Sequence, residues 1–126
     1  MDYRTCPNLV RLFFDQAAVF GDAPFLWAKA DGAWKALSWA EVARQVRRLA
    51  AGLAGLGVAP GDRVALVAEN RPEWIVADLA IMAAGAISVP AYTTSTVDDY
   101  RHIFANVGVL GIIASTQALV ERCLAV

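Results

Sequence analysis

Residues 63–90 read RVALVAENRPEWIVADLAIMAAGAISVP, and the order of patterns within them decides the fold. Val64-Ala65-Leu66-Val67-Ala68 is an unbroken apolar run, which suits a strand covered on both faces rather than one with a wet side. Asn70 to Glu73 then has the spacing of a capping box, with Pro72 in the first helical turn, where a missing N–H is no loss. From Glu73 to about Ala84 the sequence is apolar almost all round, which predicts a well-buried helix. Ala86 to Val89 is a second short strand, stopped by Pro90. Strand, helix, strand with these properties is the parallel crossover unit.

Downstream the alternation continues. Tyr92-Thr93-Thr94-Ser95 is a polar loop, Thr96 or Ser95 caps a helix, and Tyr100, Ile103, Phe104 and Val107 form its apolar stripe before Gly108 ends it. Leu110 to Ala114 reads as a third parallel strand. Thr116 to Val126 reads as the opening turns of a helix, with Leu119, Val120, Cys123 and Leu124 apolar. No stop signal follows, so the chain is expected to break off in mid-architecture. Upstream, Leu9, Leu12, Phe13, Ala17 and Phe20 recur at helical spacing. Phe25 to Ala30 and Ala33 to Leu37 flank Asp31-Gly32, a dipeptide suited to a type I′ hairpin turn. Ser38 to Glu41 has capping-box spacing and opens a helix with Val42, Val46, Leu49, Leu53 and Leu56 on one stripe; Gly57 closes it, and Arg44, Arg47 and Arg48 form a solvated face. The fold class is therefore α/β: a partial doubly wound parallel sheet (βαβαβα, right-handed crossovers) preceded by an N-terminal helix and a β-hairpin.

The chain has 126 residues, 58% of them hydrophobic, enough for one compact domain or part of one. A net charge of −1 offers no surplus to neutralise a phosphate backbone, so nucleic acid is not an expected partner. Cys6 and Cys123 lie at opposite ends, which fits neither a disulfide scaffold nor a zinc ribbon; each reads as a small buried hydrophobe in a reducing cytosol. Met1-Asp2-Tyr3-Arg4 has no basic patch leading into an apolar run, so no secretory signal is expected and the chain is read as cytoplasmic. The longest apolar candidate, Leu79 to Val89, is far below the ~20 residues of a membrane span. With a mean hydropathy of +0.47, some apolar surface is expected to be covered by protein beyond this chain.

Several motifs invite chemistry and do not sustain it. Gly52-Leu-Ala-Gly55-Leu-Gly57 looks like a nucleotide loop, yet it closes a helix where a dinucleotide loop must open one; close packing at Gly52 and Gly55 and a helix stop at Gly57 explain it. Neither Lys29 nor Lys35 follows a glycine, so no phosphate loop of the Walker type is present. His102 is alone, and no metal site is expected. Asp98 and Asp99 suit the positive end of a helix. Trp39 and Trp74 read as core anchors. Ligands of open parallel sheets sit beyond the carboxyl ends of the strands, which makes Asn70, Tyr92, Thr93 and Thr94 the substrate-binding candidates, although each also has turn or capping chemistry to perform. No catalytic residue is identified.

Glu69-Asn70-Arg71-Pro72-Glu73-Trp74, Asp78 to Ala86, and Val89-Pro90-Ala91-Tyr92-Thr93-Thr94 together resemble the adenylate-forming (AMP-binding) acyl-CoA synthetases, especially the long-chain type. The Asn8 to Phe20 helix, the Ser38-Trp39 helix entry and the Gly57 to Val64 turn fall where that family has its N-terminal features, so the resemblance covers nearly the whole chain. It implies a ligase in which a carboxylate attacks Mg-ATP to give an acyl-adenylate and coenzyme A then displaces AMP. It also implies that residues 1–126 are the N-terminal part of an AMP-binding domain. The family's phosphate loop, its adenine, magnesium and ribose motifs and its catalytic lysine lie beyond the matched stretch. The expectation is a scaffold segment, inactive alone and binding no cofactor. In the intact parent, fatty acid, ATP with Mg2+, and CoA are the partners, with peripheral association at a membrane left open. The alternative is a free-standing α/β binding or interaction module without catalysis.

Overall fold

The computed structural model describes residues 6–126, so the leader reading of Met1 to Arg4 lies outside the described residues. A helix, a hairpin and an alternating α/β unit follow in order: α1 (Leu9–Phe20), β1 (Pro24–Ala30), β2 (Ala33–Ser38), α2 (Trp39–Gly55), β3 (Arg63–Val67), α3 (Pro72–Ala83), β4 (Ile87–Pro90), α4 (Val97–Val107), β5 (Val109–Ala114) and α5 (Gln117–Leu124).

The parallel sheet has the order β4-β3-β5, with Val64 opposite Ser88 on one side and Gly111 on the other. β3 is central because its run is apolar on both faces: Val64 to Val67 are all at most 1% exposed. On one face Val64 and Leu66 meet Leu53 of α2 and Ala77 and Ile81 of α3. On the other, Val67 meets Tyr100 of α4 and Leu119 and Cys123 of α5. Helices on both faces make the sheet doubly wound. A third cluster joins α1, α2 and α3 through Phe13, Ala17, Val46 and Ala80, and the hairpin closes over it where Phe25 stacks on Trp39 at 3.7 Å. Trp74 packs against the sheet-facing cluster, the anchoring role expected of it.

Local signals act as chemistry dictates. Asp31 and Gly32 both take positive φ, 54° and 77°, and close the hairpin between Ala30 and Ala33. Gly57, at φ 95°, ends α2 in a Schellman motif, its N–H donating to Ala54 and that of Val58 to Leu53. Thr96 caps α4 in a complete box with Asp99.

Other expectations are corrected. Asn70 does not cap α3: Arg71 is the cap residue, without a side-chain bond, because Pro72 at the first helical position holds its predecessor extended (φ −152°, ψ 160°). At Ser38 only half the box forms; the hydroxyl accepts from the Glu41 N–H at 3.2 Å, while Glu41 turns to Arg44 and Gln45. Gly52 and Gly55 are not closely packed, since a Cβ at either meets nothing within 4 Å. Leu9, Phe20, Leu56 and Val107 fall off their buried stripes into exposure, each at a helix end. Cys123 is buried as expected, whereas Cys6 is only half-buried. No helix of the described residues is long and apolar enough to cross a membrane.

Candidate functional site

Three parallel strands direct three loops to one edge, the carboxyl edge: Ala68–Arg71 after β3, Ala91–Thr96 after β4, and Ser115–Thr116 after β5. Backbone bonds continue the sheet into these loops. Ala91 donates to Leu66 at 3.0 Å, and Ser115 donates to Val67 at 3.2 Å. The Ser115 hydroxyl then donates to the Glu69 carboxylate, tying the β3 loop to the end of β5. That bond holds the Glu69 carboxyl below its ordinary range. Arg71 Nε pairs with Glu73 at 2.8 Å, which lowers the Glu73 carboxyl in the same way.

Asn70 is exposed on this edge and lines an open groove of about 1100 Å³ between the β3 loop and the hairpin. Trp27, Trp34 and Trp74 contribute its aromatic surface, with Lys29, Lys35, Glu69, Arg71 and Glu73 as charged groups. Trp27 and Trp34 are 56% and 67% exposed, so the hairpin presents indole surface to the groove rather than to the core.

Tyr92, Thr93 and Thr94 follow β4 and do not line that groove. The Tyr92 side chain is 83% exposed, Thr94 is exposed and Thr93 is half-buried. Behind them the fully buried Tyr100 donates its hydroxyl to the Tyr92 carbonyl at 2.7 Å. Burial, reinforced by Cys123 nearby, raises the Tyr100 phenol above its ordinary value, with Arg122 opposing. Arg122, on α5, donates to the Thr93 carbonyl at 3.0 Å. The candidates therefore divide, with Asn70 on the groove and the other three on a separate, braced loop. Sequence reasoning passed over Glu69, Ser115 and Arg122. Their roles depend on contacts 29 to 46 residues apart, which leave no local spacing to find. His102 stays on the surface of α4 beside Asn106.

A parallel sheet with helices on both faces and its polar loops gathered at one edge places the chain in the doubly wound α/β class. A family model described as AMP-binding enzyme matches residues 13–125, and the chain belongs to that family. The long-chain-fatty-acid--CoA ligase FadD15 of Mycobacterium tuberculosis is 40% identical over 88 residues, 70% of this chain and 15% of that protein. An uncharacterized protein of the same organism is 36% identical over 104 residues, 82% of this chain and 59% of the relative. Among solved structures, the N-terminal subdomain of Klebsiella oxytoca NpsA superposes with a TM-score of 0.79 at 25% identity, covering 87% of this chain and 27% of that one. The chain thus spans about 15% of the length of its ligase relative.

Proposed function

We propose that residues 1–126 are the N-terminal part of the adenylation domain of an ATP-dependent long-chain fatty-acid-CoA ligase. The intact parent would join a fatty carboxylate to CoA through an acyl-adenylate, with Mg-ATP and CoA as co-substrates, in the cytoplasm. The observation that carries this reading is the 40% identity to a long-chain ligase. The segment would act as scaffold. It sets one doubly wound layer and offers Asn70, Tyr92, Thr93 and Thr94 at the carboxyl edge as ligand-facing groups. On this reading the nucleotide-handling motifs would lie elsewhere in the parent, and no chemical step is assigned to a residue of this chain.

One observation favours a second reading, a small free-standing α/β module: a relative exists of which this chain covers 59%. Measuring the intact mass of the native product in its source cells separates the two. A product several times larger than 13.5 kDa that forms acyl-CoA from long-chain acids and ATP supports the ligase reading. A folded native product of 13.5 kDa overturns it and leaves the module.

A further inference from the structure

The loop after β4 is held from behind by more than its helix cap requires. Three of its carbonyls are consumed inward: that of Tyr92 by the Tyr100 hydroxyl at 2.7 Å and the Ser95 N–H at 3.1 Å, and those of Thr93 and Ser95 by Arg122 Nη1 at 3.0 and 3.4 Å. At its far end the Thr96 N–H is taken by Asp99 at 2.8 Å. The side chains of Tyr92 and Thr94 face the opposite way and are exposed. Backbone groups fixed inward and hydroxyls left free outward make a contact surface that is formed before anything binds to it.

We propose that Arg122 is the positioning residue of this loop: from the last turn of α5, its guanidinium fixes the Thr93 and Ser95 carbonyls and thereby sets where Tyr92 and Thr94 present their hydroxyls. The purpose of the brace rests on the reading of this loop as ligand-facing, but the brace itself does not. A cation in the last turn of a helix also complements that helix's own dipole, and this alone would account for a charge at 122. It does not account for bonds to two carbonyls lying 27 and 29 residues away on another segment. Both bonds leave one nitrogen, Nη1, which stands one bond farther along the side chain than a lysine Nζ would, so an ammonium at this position falls short of the two carbonyls.

Amide hydrogen exchange on the whole chain, followed by NMR without any ligand, tests this independently of the ligase reading. The Ser95 amide reports on the loop, because its partner is the Tyr92 carbonyl inside it. The amides of Thr96 and Tyr100 belong to the cap and first turn of α4 and serve as internal controls. Arg122→Ala is expected to speed Ser95 exchange roughly tenfold, the equivalent of one charge-assisted bond, and to leave the controls unchanged. The carbonyl carbon resonances of Thr93 and Ser95 move upfield as their donor is lost. Arg122→Lys is expected to restore only part of the protection. Unchanged Ser95 protection in the alanine variant overturns the proposal. So does parallel acceleration of all three amides, which means loss of helix packing. Full protection in the lysine variant overturns it as well and carries the test if the alanine variant fails to fold.

Discussion

Replacing Tyr100 by Phe removes one oxygen from a side chain that is 0% exposed and stacked on Phe104 at 5.5 Å, and leaves the ring in place. The lost interaction is the 2.7 Å bond to the Tyr92 carbonyl. Because that carbonyl keeps the Ser95 N–H at 3.1 Å, it is not orphaned, and the cost is that of one net hydrogen bond, about 1 kcal/mol. Tyr100→Ala removes the ring as well and should cost about 3–5 kcal/mol. Urea unfolding followed by tryptophan fluorescence reads both. With a slope of about 1–3 kcal/mol/M, the Phe variant's midpoint falls by roughly 0.5 M at unchanged slope. The pH dependence supplies the sign. Burial raises the folded phenol's pKa, so its contribution is fully present below the unfolded value of roughly 10 and is lost as pH climbs above it, by at most about 1.4 kcal/mol per pH unit. Phe has no such loss, so the gap between the two proteins must narrow in alkali. Cys123 titrates in both and cancels. A Phe variant as stable as the parent at neutral pH, or a gap that widens in alkali, refutes the reasoning.

Three further outcomes follow from the helix ends and glycine positions. Gly108→Ala should cost about 1–2 kcal/mol by urea unfolding, because the residue sits at φ +67° and an added Cβ comes within 3.0 Å of Arg63 Nη2. Gly52→Ala, with open space around its Cβ, should instead stabilise by about 0.8–1 kcal/mol through helix propensity. Thr96→Ala should lower stability by about 1 kcal/mol in thermal melts, with Thr96→Ser recovering most of it, since the hydroxyl that caps the Asp99 N–H is retained.

Where structure follows from neighbours in sequence, it could be read from sequence. The Asp31-Gly32 turn, the Gly57 stop and the Thr96 cap depend on a few adjacent dihedrals, and the Val64 to Val67 run announces its own burial. Asn70 misled because capping-box spacing and a proline compete, and the steric demand of Pro72 on Arg71 is the stronger. The spacing of Gly52 and Gly55 suggested contact, but nothing in a helix repeat reveals whether another layer reaches that far. The carboxyl edge was foreseen as a place. Its wiring was not: the Glu69 to Ser115 tie, the Arg122 brace and the groove beneath Trp27 and Trp34 join distant segments and exist only once the layers have met.

The order β4-β3-β5 also has a temporal side. A ribosome delivers the middle strand before either of its neighbours, so β3 emerges with both edges empty and its apolar run unshielded. The first cover it can find comes from α2, already made, and α3, which arrives next. Only then does β4 take one edge, and β5 takes the other after α4 has been completed. Synthesis thus leaves the most buried strand waiting longest for its partners. During that interval the early α2–α3 pair shields one apolar face of β3, while both of its edges stay open to wrong strand pairing.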